Sequence, residues 1–366
     1  LPTASDFGVE DVHRGAHELS ARATESYEAT RGKVARWINA PEERSVLFTR
    51  GTTEAINLVA RSWGAANLKA GDRVLLSEME HHSNIVPWQI ACEAAGAEAV
   101  PIPVLDAGRL DMEAFGALLD ERVRMVSVVH VSNALGTVNP VEEIVRQAHA
   151  VGALVLLDGA QAMPHQRVDV QAIGCDFYAF SGHKLFAPTG IGCLWGRAEL
   201  LEAMPPWQGG GDMIDRVSFA GTTYNTLPHK FEAGTPNIAA TIGLGAAMDY
   251  IASIDFEAAA AWEGVLLEEA TRRLDAIEGI RIIGRAPGKA AVISFVMEGA
   301  GAQDVGTLLD AQGIAVRVGH HCTQPLMERF GVPATVRASF AFYNDLEDVE
   351  RLAAGLERAQ RLFGAD

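Results

Sequence analysis

The sequence is short of basic charge: over 366 residues, 30 lysines and arginines stand against 47 aspartates and glutamates, a formal net charge of -17. Phosphate backbones and anionic lipid surfaces are gripped by basic patches, so this balance argues against nucleic-acid and membrane-surface binding and leaves small-molecule or protein partners. Long hydrophobic runs are also missing. No stretch approaches the roughly 18 apolar residues of a membrane helix, and the opening LPTASDFGVED has neither the basic nor the apolar region of a secretory signal. A soluble cytoplasmic protein is expected. Cysteine is scarce, and Cys92, Cys175, Cys193 and Cys322 form no CxxC pair, which argues against a disulfide scaffold and fits a reducing compartment. Neither GxxxxGK[ST] nor GxGxxG occurs, so the usual handles of nucleotide-binding folds are absent. There is no internal repeat, low-complexity tract or charged tail, and nothing marks a long linker.

What is there is an ordinary folding composition, 48% hydrophobic and 21% charged, in a chain long enough for two domains. Apolar, β-branched runs at 74–76, 125–131, 154–157, 177–180 and 193–195 predict buried strands, and segments 111–119 and 141–150 carry apolar residues at helical spacing. Strand and helix in alternation imply a parallel sheet with helices on both faces and a ligand site beyond the carboxyl ends of the strands, where Asp158 and Ser181 fall. After Ile254 the pattern changes. A long Ala/Glu-rich helix is followed by strands at 291–297, 314–318 and 336–341 and a closing helix from Leu346. The expected division is a large ligand-binding domain over 1–253, whose N-terminal segment can pack on its neighbour, and a small α+β domain over 254–366.

The stretch DFYAFSGHKLFAPTGIG, residues 176–192, sets Lys184 just past an apolar strand and ahead of a glycine- and proline-containing turn. Most lysines are solvated surface groups, but a lysine amine becomes a nucleophile when burial or a nearby cation keeps it neutral. Upstream, in LVLLDGAQ, Asp158 ends a wholly apolar strand, where an unpaired charge is costly. A pyridinium nitrogen would pair with it. An aspartate facing that nitrogen and a Schiff-base lysine are the minimum protein equipment of a pyridoxal phosphate (PLP) site. Gln161, one helical turn on, can donate to the ring hydroxyl. For the phosphate, Gly51, Thr52 and Thr53 in TRGTTEAINLVA supply a glycine turn, two hydroxyls and a helix start, and Ser181 and His183 flank the lysine. The planar ring needs a stacking partner, for which EMEHHSNIVPW offers His81 and His82; chemistry does not choose between them.

The motifs GTTEAINLVA, MEHHSNIVPW, HVSNALGTVNP, DGAQ, FSGHKL, FEAGTPN and RVGHHC, in this order and over nearly all of the chain from Val12, resemble the aminotransferase class V proteins. More closely, they resemble the SufS-type (group II) cysteine desulfurases and selenocysteine lyases. The resemblance implies an α/β protein of the PLP-dependent transferase fold type I, with a mostly parallel sheet in the large domain, a smaller α+β C-terminal domain and a homodimeric assembly. It also implies roles. Lys184 carries the cofactor covalently, Asp158 pairs with the ring nitrogen, Gln161 contacts the ring oxygen and His81 stacks on the ring. Thr52, Thr53, Ser181 and His183 hold the phosphate, joined by Thr235 of FEAGTPN from the neighbouring subunit. Relatives carry a further N-terminal segment before the VHRG motif, which here occupies 12–15 and makes Arg14 a candidate substrate contact.

PLP serves transamination, decarboxylation and elimination alike, so the reaction is read from its surroundings. In RVGHHCTQPL, Cys322 follows a strand among His320, His321 and Arg317. A thiol with a pKa of about 8.5 is only about three per cent thiolate at pH 7, and these neighbours are the candidates for raising that fraction. Zinc is disfavoured because no second ligand pair has suitable spacing, so no metal is expected. The other three cysteines sit among apolar neighbours and read as core. By the resemblance, Cys322 takes sulfur from L-cysteine, leaving L-alanine and a persulfide on the protein. Arg337 of VRASF grips the substrate carboxylate, with Asn133, Arg317 and Arg14 assisting. The implied activity is that of a cysteine desulfurase, a sulfurtransferase feeding a sulfur acceptor protein of the SUF system in iron-sulfur cluster assembly. Within the family the alternatives are a selenocysteine lyase acting on L-selenocysteine and a kynureninase-like hydrolase, the latter disfavoured by the thiol. Outside enzymes the alternative is a non-catalytic assembly scaffold, against which Lys184, Asp158 and Cys322 all stand.

Overall fold

The structure, a computed structural model, describes Val12 and residues 17–363. Seven runs join one sheet: β1 (Val46–Thr49), β2 (Arg73–Ser77), β3 (Glu98–Ile102), β4 (Val123–Val129), β5 (Leu154–Asp158), β6 (Phe177–Ser181) and β7 (Gly192–Gly196), in spatial order β1-β7-β6-β5-β4-β2-β3. The strands β3, β2, β4, β5 and β6 run parallel. The run at 193–195, expected as one more parallel strand, is instead antiparallel to both β6 and β1. The connecting segment 182–191 is too short for the helical crossover that parallel neighbours require.

Alternation along each strand sends successive side chains to opposite faces of the sheet. On β5, Val155 and Leu157 join the same hydrophobic cluster as Tyr178 and Phe180 of β6, while Leu156 joins Phe177 and Ala179 in the other. The first cluster is covered by helices Glu18–Trp37, Val141–Ala150 and Ile238–Ala252, the second by Thr52–Val59, Val86–Ala95 and Ala198–Ala203. Each fully buried large apolar side chain contributes on the order of 1.5–3 kcal/mol, so the unbroken apolar runs are what place β5 and β6 at the centre.

Next come β8 (Ile214–Ser218) and β9 (Gly221–Tyr224), an exposed hairpin. A second, antiparallel sheet follows, β10 (Ile280–Ile283), β11 (Val292–Met297), β12 (Arg317–Gly319) and β13 (Thr335–Ser339), in order β10-β11-β13-β12. It has its own hydrophobic cluster, in which Leu266 and Leu274 of helix Phe256–Asp275 meet Phe295, Val336 and Leu356. The helix Gln324–Arg329, directly after Cys322, instead buries Leu326 and Met327 in the first cluster of the large sheet, so the Cys322 segment bridges the two sheets. Among the described residues no single helix is long and apolar enough to cross a membrane.

Candidate active site

The carboxyl ends of β5 and β6 and the turn after β1 meet at one edge of the large sheet. Gly51 leads from β1 into helix Thr52–Val59 with φ 153°, and a Cβ there would stand 3.1 Å from Ser181 Oγ. That closeness lets Ser181 Oγ accept from Thr52 N (2.9 Å) and bond Thr52 Oγ1 (2.7 Å). Gly192 is tighter still: a Cβ would meet Gly51 Cα and Phe180 O at 2.5 Å, so side chains at this position would push the turn away from β6. The first-turn N–H groups of the helix have no intrahelical acceptor and, with Thr53, Ser181 and His183 around them, form a cradle for an anion.

Asp158, at the end of β5, is 3% exposed. Its Oδ1 accepts from Ala160 N at 2.9 Å, and Oδ2 takes none of the described hydrogen bonds. Burial pushes its pKa up to about 6, against the Ala160 N–H and the Lys184 charge, which pull it down. A buried carboxyl left half-satisfied in this way is suited to a cationic N–H. Lys184 lies on the single turn Gly182–Leu185 after β6 and is half-buried. Burial, then Arg337 and Arg317, lower its ammonium pKa, with Asp158 opposing; this is the direction that favours a nucleophilic amine.

His81 begins the turn after β2. Its Nδ1 faces the backbone N–H of Ser83 at 3.1 Å and the Ser83 hydroxyl at 2.7 Å, which leaves the proton of the neutral ring on Nε2. Burial, His82, Lys184 and Arg317 push its pKa down to about 4, so the ring is uncharged at neutral pH.

The small sheet supplies the facing wall. Arg317 of β12 and Arg337 of β13 are directly paired across the ladder. Like charges in that relation repel, and no carboxylate among the described residues forms an ion pair with either. Burial and Arg317 lower the Arg337 pKa to about 10. Its Nη1 donates to Asn133 O (2.7 Å), but its Nε is buried without a partner, as is Asn133 Oδ1. Two guanidiniums and an orphan donor make a site for a carboxylate. Arg317 Nη2 also lies 3.9 Å from Cys322 Sγ. Of the three neighbours expected to favour the thiolate, this one reaches the sulfur. His321 turns into the core at 2% exposure, with Nε2 2.9 Å from Thr335 Oγ1, and burial followed by Arg337 and Arg317 pushes it to about 4, a neutral ring.

Thr52, Thr53, His81, Asn133, Asp158, Gln161, Ser181, His183, Lys184, Arg317 and Arg337 line one cavity of about 200 Å³, with Cys322 beside it through Arg317. Thr235 is exposed and lies elsewhere, in a cavity of about 490 Å³ with Thr49, Glu54 and Asn237. Arg14 lies outside the described residues. Two residues of this turn, Glu80 and Ser83, went unread in the sequence, and His82 was read there only as a candidate for stacking on the ring. Glu80, 0% exposed, accepts from Ser77 Oγ, Asn84 Nδ2 (2.7 Å) and Val129 N (2.9 Å), tying the His81 turn to β4. Ser83 orients His81. His82 turns from the cavity and binds the Cys322 segment, donating its N–H to Cys322 O at 2.8 Å. Their signal is the polar run EMEHHSN after an apolar strand, which does not say which polar group is buried.

Residues 8–352 match the family described as aminotransferase class-V. A cysteine desulfurase from Dickeya dadantii (strain 3937) is 54% identical over 354 residues, 96% of this chain and 86% of that protein. Among solved structures, the cysteine desulfurase CsdA from Escherichia coli superposes with a TM-score of 0.93 at 41% identity, covering 98% of this chain and 90% of CsdA. The cystine C-S lyase C-DES shares the fold at 22% identity and a TM-score of 0.82, over 94% of this chain and 88% of that one; in that structure glycine is covalently linked to the PLP cofactor. By the length of the match and the degree of identity, the chain belongs to the aminotransferase class-V family and, within it, to the cysteine desulfurases.

Proposed function

We propose that this chain is a PLP-dependent L-cysteine desulfurase that releases L-alanine and holds the sulfur as a persulfide on Cys322. The observation that carries this reading is the meeting, around one cavity, of Lys184 and Asp158 from the large sheet with the Arg317–Arg337 pair, and of Cys322 Sγ 3.9 Å from Arg317.

The donors around the cavity suit PLP. Asp158 would hold the ring N–H through its free Oδ2, Gln161 the ring oxygen and His81 the ring face. Thr52, Thr53, Ser181 and His183 would hold the phosphate, with Thr235 of a second copy, and Lys184 the aldehyde carbon. Bound there, PLP draws electrons from the α-carbon of an attached amino acid. The chain's own groups do the rest. Arg337 and Arg317 bind the L-cysteine carboxylate, helped by Asn133 and Arg14. Lys184 Nζ carries protons at the substrate carbons. Cys322, as thiolate, attacks the substrate sulfur: an S–S bond forms, the C–S bond breaks with its electron pair left on carbon, and a proton there completes the methyl group of alanine.

The same reading includes a homodimer, a division of the chain into 1–253 and 254–366, a cytoplasmic setting and a SUF-type sulfur acceptor serving iron-sulfur cluster assembly. The separate hydrophobic cluster beyond Phe256 supports the division, and the position of Thr235 outside its own cavity supports service to a second copy. Incubation of the PLP-loaded protein with L-cysteine should give alanine together with one sulfur added to Cys322, read by peptide mass spectrometry. No alanine from L-cysteine overturns the desulfurase reading, and alanine with unmodified Cys322 overturns the persulfide role. Much faster turnover of L-selenocysteine would move the reading to a selenocysteine lyase.

A further inference from the structure

The candidate sulfur-accepting thiol sits on an unfavourable turn. His321 and Cys322 both have positive φ, 51° and 59°, inside a turn closed by Thr323 N donating to His320 O at 2.8 Å, with Thr323 Oγ1 donating to the same oxygen at 2.9 Å. Two successive left-handed residues suit Asn-Gly; side chains such as His and Cys resist them, so contacts beyond the backbone have to hold the turn. Two imidazoles do so. His320 Nδ1 accepts the N–H of Cys322 itself at 3.0 Å. His82 Nε2 accepts the N–H of Gln324 at 3.1 Å, while the His82 N–H donates to Cys322 O at 2.8 Å. The two rings lie 5.4 Å apart at 37°. On the far side Asn133 Nδ2 donates to His321 O at 2.8 Å.

We propose that His82 and His320 are positioning residues whose ring nitrogens hold the left-handed turn of Cys322, and that a proton taken up by His82 releases it. The functional meaning rests on Cys322 being the sulfur-accepting thiol; the geometry does not. An imidazolium donates from both nitrogens and has no lone pair, so a proton on His82 Nε2 sets N–H against the N–H of Gln324 and removes the bond. The charged and titratable groups facing this cluster are His81, 6.3 Å from His82 by ring centroids, His321 within the turn, and Arg317 at the thiol. No carboxylate hydrogen-bonds either imidazole among the described residues. Burial and the His320 charge both lower the His82 pKa, which keeps the turn closed at neutral pH. A turn that loses these bonds on protonation can present the thiol inward for attack and free it outward for transfer.

Iodoacetamide labelling of the holoenzyme, followed by intact mass, reports Cys322 because the other three cysteines are buried. His82→Gln places an amide oxygen where Nε2 stood and His320→Asn one where Nδ1 stood, and neither amide titrates. His82→Ala and His320→Ala should raise the labelling rate per thiolate by about threefold or more, the scale of one net hydrogen bond, while the amide variants stay within about twofold of wild type. Between about pH 8 and about pH 5.5 the wild-type rate per thiolate should rise and that of the double amide variant stay flat. Alanine variants that label at the wild-type rate or slower overturn the proposal. Equal effects of alanine and amide variants, or a wild-type profile as flat as the double amide variant's, overturn it too. Labelling needs no turnover, so its outcome is read separately from any failure of alanine release.

Discussion

The two walls of the cavity are built in different ways. Lys184, Asp158 and Ser181 stand at the ends of central strands whose residues are almost wholly buried, and the adjoining turn is locked by the Gly51–Gly192 approach. Cys322 stands on a turn at the end of a three-residue strand. Two left-handed residues cost about 2–4 kcal/mol, and the few side-chain bonds that hold them return on the order of 1 kcal/mol each. The cofactor wall is therefore overdetermined, whereas the thiol wall is close to balance. The difference matches the work proposed for each side: bond polarisation needs fixed geometry, while a thiol that takes sulfur inside a cavity and gives it up outside has to move.

Four measurements would break or sharpen this contrast. The largest effect belongs to the rigid wall. Lys184→Ala should cut alanine production from L-cysteine by about a thousandfold or more, since one amine is asked both to hold the cofactor and to carry protons; residual turnover within about tenfold would remove it from that role. Cys322→Ala should stop desulfuration almost as completely while leaving PLP absorbance, and its spectral response to added L-cysteine, unchanged. A variant that loses PLP would instead make the thiol wall part of the scaffold.

Next in size, Arg337→Lys should lower kcat/KM by about 10- to 100-fold, mostly through KM, because a point charge cannot replace a two-pronged grip. An unchanged KM would locate the carboxylate at Arg317. The smallest effect is on stability. The Asp158 pKa is about 6 in the folded protein against a reference of 3.8. The proton therefore favours the folded state, and that contribution, complete below the unfolded value, is lost as pH rises through 6. Above it, protein freed of PLP carries a buried, half-satisfied carboxylate at a cost of about 3 kcal/mol at most. Without PLP, Asp158→Asn should resist urea better than wild type at pH 8 and equally below about pH 4; with PLP the order at pH 8 should reverse. If the variant gains nothing without PLP, the Lys184 charge already satisfies the acid.

Three of the strands the sequence passed over lack a continuous buried apolar run. β3 carries exposed Glu98 and Pro101 and lacks the apolar run that marks a buried strand. β8 and β9 are exposed throughout or nearly so and bury no face. The direction of β7 depends on how little chain joins it to β6, which an apolar triplet does not reveal.

By itself the sequence determined the central strands and the groups at their ends. A strand buried on both faces must be apolar without interruption, and an acid such as Asp158 or an amine such as Lys184 at its terminus needs a partner whatever packs nearby. Only the tertiary structure decided that His82 turns to the Cys322 segment, that Glu80 is buried behind it, and that Arg317 stands opposite Arg337. Each of these depends on strand register or on contacts between segments far apart in the chain, and a residue's type and its immediate neighbours do not encode them.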